Sequence, residues 1–218
     1  MKRLGLLLLP ILAITLLLGG NAFAQNVGDN SVYFVTYYSN ANTTGAPDGT
    51  LRIINDGDQA TTDLEGKENG PLWAAIYVFN DGQTMVECCA CYITSDGLLS
   101  ESVDKQLTST EFTTHTETTR GVIKVISSSS SDPTAPAPLT GLRGWMTHIQ
   151  ATTTTFPSGP GASVNAVEKG PWFVTETALS DSNLTGLELS NLGTVCSYSY
   201  TIASGPGACP CTPEDYDF

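Results

Sequence analysis

The chain has 218 residues, of which 14% are charged and 40% are hydrophobic, and it carries 9 Lys+Arg against 22 Asp+Glu, a formal net charge of −13 at pH 7. This acidity disfavours nucleic acid and other polyanionic partners, and the apolar fraction argues against intrinsic disorder. The length suits one domain with a core of its own.

The chain begins with the three parts of a secretory signal peptide. Basic Lys2-Arg3 precedes the almost wholly apolar residues 4–18, and an Ala-x-Ala site ends at Ala24. The apolar run of about 15 residues is shorter than the roughly 20 that span a bilayer. We therefore predict that residues 1–24 are removed and that the mature chain, with a net charge of −15, has no membrane span. Residues 25–211 should form a single domain.

Short runs rich in Thr, which occurs 28 times after residue 24, alternate with turn residues, a pattern that favours β-strands. In chain order, the predicted strands are residues 31–38, 50–55, 72–79, 83–94, 98–107, 110–127, 142–156 and 172–179. Residues 56–71 are polar and acidic, and they predict a long loop. Asp81-Gly82, between the third and fourth strands, predicts a tight hairpin in which Gly82 takes a positive φ.

The second half of the chain contains a low-complexity segment and one candidate helix. Residues 127–138 (SSSSSDPTAPAP) predict a flexible connector. Residues 180–192 predict a short helix that Ser180 or Asp181 caps and Gly193 ends, and residues 195–202 fit either a strand or a continuation of that helix. Residues 212–218 form an acidic tail. The whole pattern predicts a mainly β protein, an antiparallel β-sandwich of immunoglobulin-like or jelly-roll-like type, with a sheet closed on itself as the alternative.

The six cysteines fall in two clusters near the middle and the end of the chain. They are Cys88, Cys89 and Cys91, and Cys196, Cys209 and Cys211. An even number of cysteines in an exported chain predicts disulfide bonds, here three, with 15 possible connectivities. Because neighbours on a strand point to opposite faces, Cys88 and Cys89 are poor partners for each other. At least one bridge should therefore join the two clusters.

A metal site is the alternative explanation of the cysteines. Cys88, Cys91, Cys209 and Cys211 could supply four thiolates to zinc, copper(I) or an iron–sulfur cluster. The spacing does not single out a metal, and a redox Cys-x-x-Cys motif lacks its usual βαβ context. We favour disulfides and expect no bound cofactor.

Other candidate sites have weaker support. His115 and His148 lie in Thr-rich strand patterns, and no motif of a known hydrolase surrounds them. A secreted hydrolase that uses His148 or an acidic pair is kept only as a second alternative function. The acidic loop offers Asp56, Asp58 and Asp63 as a weak calcium site, but a solvated loop explains these residues better.

The run YYSNANTTGAPDGTLRIIN, followed by AAIYVFNDGQTMVECCACYITSDGLLSESVDKQLTS, resembles a family of uncharacterised secreted bacterial proteins of acidobacterial type. The similarity covers residues 36–109 and the last 30 residues, which contain a leucine-patterned stretch and a G-x-G-x-C-x-C ending. This resemblance implies export and a shared cysteine framework, and it implies no activity. Chains of that family end near C-x-C with a glycine, whereas PEDYDF follows here.

These features predict a non-catalytic structural or interaction module outside the inner membrane, either extracellular or periplasmic. One specific form is a subunit of a surface assembly or fibre. The strand predicted at residues 31–38 follows a short arm, and it could add to the sheet edge of a second copy. Deleting residues 25–38 should then abolish assembly and leave a folded monomer. A different cell-surface component is the other partner that we expect.

Overall fold

The computed structural model describes residues 31–57, 59–61, 66, 70–109, 118–156, 166–202 and 209–211, with the backbone alone at 153–156, 166–170 and 202. The predicted signal peptide, the arm before residue 31 and the acidic tail lie outside the described residues.

The described chain is built mainly from antiparallel strands. In chain order, its elements are β1 (Tyr33–Ser39), β2 (Thr50–Asn55), β3 (Leu72–Asn80), β4 (Met85–Ile93), β5 (Leu98–Ser102), a π-helical turn (Val103–Leu107), β6 (Arg120–Ser128), β7 (Leu142–Phe156), β8 (Ala166–Ala178), β9 (Ser180–Asp181) and α1 (Gly186–Ile202). The strand predicted at 98–107 ends early because the side chain of Ser102 accepts a hydrogen bond from the backbone N–H of Lys105 and starts the π-helical turn.

The strands form two sheets in the orders β4-β3-β6-β1-β9 and β5-β2-β7-β8, and all their pairings are antiparallel. Alternate residues of β2, such as Leu51 and Ile53, are buried between the two sheets. They pack there with Phe34, Ile76 and other apolar residues of the facing sheet. The predicted antiparallel β-sandwich is therefore confirmed.

The five-stranded sheet is covered on both faces, since α1 packs on the face that points away from the sandwich core. Leu192 and Cys196 of α1 contact a second apolar cluster that includes Tyr77 of β3 and Ile126 of β6. A strand buried on both faces needs apolar residues at successive positions. This requirement explains why β3 reads LWAAIYVF without alternation.

The helix lies further along the chain than its sequence predicts. Ser180 and Asp181 pair with β1 as β9, and the cap is Thr185, whose hydroxyl accepts a hydrogen bond from the N–H of Glu188 at 3.1 Å. Thr185-x-x-Glu188 has the residue types of a capping box. The prediction that Gly193 ends the helix is wrong, because α1 runs through it for 17 residues in all. Within the described part of the chain, no helix is long and apolar enough to cross a membrane.

The serine-rich segment begins inside the sheet. Ser127 and Ser128 are fully buried residues of β6 and pair with Ala74 and Trp73 of β3, so the predicted connector started two residues too early. Serine fits there because its side chain is small. The loop that follows lies against α1, and a Cβ at Gly193 would come within 2.3 Å of the carbonyl oxygen of Thr134. Glycine in mid-helix therefore permits a close approach of the loop.

Candidate functional site

The β3–β4 hairpin presents the first cysteine cluster. The predicted turn is present, but Gln83 takes the positive φ, at 63°, instead of Gly82. The N–H of Gln83 donates to the carbonyl oxygen of Asn80, and the N–H of Asn80 donates to Thr84, both at 3.0 Å. This turn sets the register in which Cys88 lies opposite Tyr77 and Cys89 lies opposite Ile76.

All six cysteines are paired, and all three bridges join the two clusters. The bonds are Cys88–Cys196, Cys89–Cys209 and Cys91–Cys211. The prediction of disulfides, with at least one bridge between the clusters, is confirmed. Strand alternation decides the pairing, because Cys88 points toward α1 while Cys89 and Cys91 point to the face between the sheets.

Four sulfur atoms lie together on the inner side of β4. The Cys89–Cys209 and Cys91–Cys211 bridges join the same two short segments, and the Sγ atoms of Cys89 and Cys91 are 3.8 Å apart. Those of Cys89, Cys91 and Cys211 lie within 4.8 Å of one another. Cys89, Cys91 and Cys209 are buried, whereas Cys211 is partly exposed. We call these four residues the four-sulfur group.

The four-thiolate set predicted from sequence is wrong in one member. Cys88 packs against α1 on the opposite face of the five-stranded sheet, where it is bonded to Cys196. It therefore cannot bind the same metal ion as Cys91, which lies on the other face of the sheet. Cys89 takes its place beside Cys91, Cys209 and Cys211. The two cysteines of the Cys88-x-x-Cys91 motif therefore lie on opposite faces of the sheet. Those of Cys89-x-Cys91 lie on the same face.

His148 is a buried residue of β7. Its ring stacks on Tyr37 with centroids 4.1 Å apart, and its Nε2 lies 2.7 Å from the hydroxyl of Thr177. Nδ1 has no hydrogen-bond partner in the described residues. Burial lowers the pKa of His148, and the nearby backbone of Tyr37 offsets part of that effect. These contacts describe a neutral packing histidine, and His115 lies outside the described residues.

Two aspartates, Asp48 and Asp104, form hydrogen bonds at the π-helical turn. Asp48 accepts a hydrogen bond from the backbone N–H of Asp104 at 3.1 Å and also accepts the hydroxyl of Ser102. Asp104 accepts the N–H of Asn42 at 3.1 Å. Burial raises the pKa of Asp104, although the bond from Asn42 acts in the opposite direction. The two carboxylates therefore tie the π-helical turn to the segment between β1 and β2, which is a structural role.

One of the three residues proposed for calcium is described. Asp56 lies at the end of β2 and pairs with Arg143 of β7, with Oδ2 3.7 Å from Nε. Asp58 and Asp63 lie outside the described residues. The arginine neighbour gives Asp56 a structural explanation, and it offers no support for a cation at the same carboxylate.

The first strand is not the free edge that its position in the sequence suggests. β1 pairs with β6 along all seven of its residues and with β9 at Phe34 and Val35. Beyond β9, the side chains of Ser39 and Asn40 donate to the carbonyl oxygen of Ile149 in β7 at 2.6 and 2.8 Å. β1 therefore belongs to the core of its own chain, and its deletion should unfold the domain.

β8 is an edge strand with exposed apolar residues. No described strand pairs with its outer side. The neighbours Phe173 and Val174 point to opposite faces, and they are 58% and 54% exposed. Both faces of the strand are therefore exposed at these two residues. Pro171 within β8 agrees with an edge position, since proline cannot donate to a ladder.

Comparisons with known proteins show no family for this chain. The chain matches no protein-family model, and no curated protein and no solved structure is significantly similar to it.

Two buried glutamates were missed by sequence reasoning. Glu87 lies opposite Val78, and Glu101 lies opposite Leu51. Both are fully buried on the inner faces of the two sheets, where charged residues are rare. The burial of Glu101 could have been predicted, because Leu99 two residues earlier lies on the same face of β5 and is buried.

Proposed function

We propose that this protein is an exported, non-catalytic structural or interaction module that associates with further copies of itself through strand addition at β8. The observation that carries the proposal is the open edge of β8 with Phe173 and Val174 exposed on its two faces. An edge strand presents unpaired backbone N–H and C=O groups, and a second strand can satisfy them.

Export has two supports, the secretory pattern of residues 1–24 and the three disulfide bonds. Disulfides persist in oxidising compartments and are rare in the cytosol. Expression in a bacterium with a periplasm, followed by N-terminal sequencing, tests this part. The expected mature protein starts at Gln25, and a product that retains Met1 in the cytosol would contradict export.

A second copy suits the edge because antiparallel pairing of β8 with β8 is isologous. One two-fold axis then satisfies both edges and brings the apolar side chains of both copies together. The mature net charge of −15 opposes this association at low ionic strength. Screening shortens the Debye length from about 30 Å at 0.01 M to about 8 Å at 0.15 M. Association should therefore strengthen with salt.

Sedimentation velocity of the mature, oxidised protein over a range of concentrations tests the proposal. The Phe173→Lys/Val174→Lys variant places two lysines on the edge, which natural edge strands use to prevent pairing. The matched control is Leu187→Lys/Tyr198→Lys on α1, which adds the same charge at residues that are 72% and 64% exposed.

We expect the edge variant to raise the dissociation constant at least about tenfold, a loss of about 1.4 kcal/mol, and the control to associate at least as well as the wild type. Equal weakening in both variants would mean that the loss is not specific to β8, and it would contradict strand addition. A wild type that stays monomeric at high concentration in 0.15 M salt would overturn self-association.

A further inference from the structure

The four-sulfur group combines two features that a simple pair of bridges does not require. Its cysteines come from two Cys-x-Cys segments, one on β4 and one at residues 209–211, where the N–H of Cys211 donates to the carbonyl oxygen of Cys209 at 2.9 Å. Both segments place their two sulfurs on the same side. The sulfurs of Cys89, Cys91 and Cys211 lie within 4.8 Å of one another, and the sulfur of Cys209 is bonded to that of Cys89.

The separation of the two β4 sulfurs matches a tetrahedral metal site. With Zn–S bonds of about 2.3 Å, neighbouring sulfurs of a zinc tetrathiolate are about 3.8 Å apart. The Sγ atoms of Cys89 and Cys91 are 3.8 Å apart and match that spacing. Cys209 and Cys211 are covalently bonded to them in the oxidised protein and can take ligand positions only after reduction. The β4 backbone, which pairs with β3 along its length, holds the first two ligands at that spacing without a metal.

We propose that the reduced four-sulfur group binds one soft divalent ion such as Zn²⁺ through Cys89, Cys91, Cys209 and Cys211. The same sulfurs form either two disulfides or one metal site. A dithiol reductant supplies two electrons and two protons to each bridge and is itself oxidised to a disulfide, and the ion then displaces the thiol protons. Soft thiolates favour zinc and copper(I) over calcium or magnesium.

Access to the group is one-sided. Cys211 is partly exposed, while both sulfurs of the Cys88–Cys196 bridge are fully buried between β4 and α1. A reductant thiolate can therefore attack the Cys91–Cys211 bridge first. The second thiol of the reductant resolves the mixed disulfide at Cys211 and leaves the reductant oxidised. The Cys91 thiolate, 3.8 Å from Cys89, can then attack that sulfur, which forms a Cys89–Cys91 bond and releases the Cys209 thiol, and a second dithiol reduces the new bond. The bridge on the α1 side should be the last to open.

The test uses the full mature chain, reduced anaerobically and titrated with cobalt(II) and then zinc(II). Cobalt in a tetrahedral thiolate site has a visible spectrum that reports ligand type and geometry. Two double variants form matched controls. Cys88→Ser/Cys196→Ser keeps the four-sulfur group, and Cys91→Ser/Cys211→Ser removes half of it. Circular dichroism monitors folding, and native mass spectrometry counts bound ions.

We expect one ion per chain in the wild type and in Cys88→Ser/Cys196→Ser, and at least about 100-fold weaker binding in Cys91→Ser/Cys211→Ser. Zinc at a hundredfold excess over Kd should raise the Tm of the reduced wild type by about 5–10 °C. If both double variants bind equally, the sulfurs do not act as this set, and the proposal fails. It also fails if the reduced wild type binds no ion more tightly than the chain does in denaturant. Neither result depends on β8, so a failure of this proposal can be distinguished from a failure of strand addition.

Discussion

Removal of the Cys88–Cys196 bridge should destabilise the protein less than its length suggests. The bond joins residues 108 positions apart, and a lone bridge of that span lowers the entropy of the unfolded chain by about 5 kcal/mol at 25 °C. In this protein the Cys89–Cys209 bond remains in the unfolded state of the variant. The path from Cys88 to Cys196 through that bond then spans only about 15 residues, and closing such a ring is worth about 3 kcal/mol.

The Cys88→Ala/Cys196→Ala variant should therefore lose about 3 kcal/mol, which corresponds to a Tm lower by roughly 6–12 °C for a domain of this size. The control is Cys91→Ala/Cys211→Ala. The bond that it removes closes a ring of only a few residues beside Cys89–Cys209, and it should cost about 2 kcal/mol. The expected order of stability is wild type, then the Cys91/Cys211 variant, then the Cys88/Cys196 variant.

Urea and thermal unfolding without reductant, followed by circular dichroism, measure these differences. A loss near 5 kcal/mol in the Cys88/Cys196 variant would mean that the bridges constrain the unfolded chain independently, contrary to this argument. A loss below about 1 kcal/mol would mean that residual structure already restricts the unfolded chain of the variant. Either result would refute the ring-size reasoning.

Four further substitutions test contacts of α1 and β7. Gly193→Ala should destabilise the fold, because its Cβ would lie within 2.3 Å of the Thr134 carbonyl oxygen. In Gly186→Ala the Cβ meets nothing within 4 Å, so this variant should be more stable by up to about 1 kcal/mol through helix propensity. Urea unfolding should therefore show a lower free energy of unfolding for the first variant and a higher one for the second. Lys124 of β6 donates a hydrogen bond to the Glu188 carboxylate at 2.5 Å and lowers its pKa. The stabilisation by this carboxylate is therefore present above the ordinary pKa of 4.5 and is lost as the pH falls through the lowered pKa. Glu188→Gln should thus cost less than about 1 kcal/mol at pH 7, and the difference from the wild type should shrink in acid. Burial lowers the pKa of His148 from 6.5, so the wild type should lose stability as pH falls below 6.5 and His148→Gln should lose less over the same range; NMR titration of the imidazole would contradict this if its pKa is not lowered.

The sandwich could be predicted because its signals are local. Alternation in Thr50–Asn55 marks one buried face, and the unbroken apolar run of Leu72–Asn80 marks a strand buried on both. The strand at Leu142–Phe156 was predicted with both of its ends correct. Each of these patterns depends only on the period of two along a strand and on burial.

The errors arose where distant contacts outweigh local preference. Gly193 predicts the end of a helix, but α1 continues because Cys196 and Tyr200 beyond the glycine, like Leu192 before it, bind the helix to the sheet. A mid-helix glycine costs about 1 kcal/mol relative to alanine, which the Cys88–Cys196 bond and this packing outweigh. Ser180 and Asp181 likewise leave the predicted helix because β1 offers them a ladder. Sequence reasoning could have found the true start from Thr185 and Glu188.

The fold also explains why the cysteine clusters have their spacing. A chain that crosses behind the five-stranded sheet as α1 and then passes to its inner face must be fixed to both faces of β4. Cys88 lies on one face, and Cys89 and Cys91 lie on the other. Bridges on both faces of one strand need cysteines at adjacent positions, whereas a single bridge would need only one cysteine in β4. Cys196 reaches the outer face from the helix, and 13 residues later Cys209 reaches the inner face. The Cys-Cys-x-Cys pattern thus records the passage of the C-terminal segment from one side of the sheet to the other, and the repeated Cys-x-Cys spacing on the inner side produces the four-sulfur group.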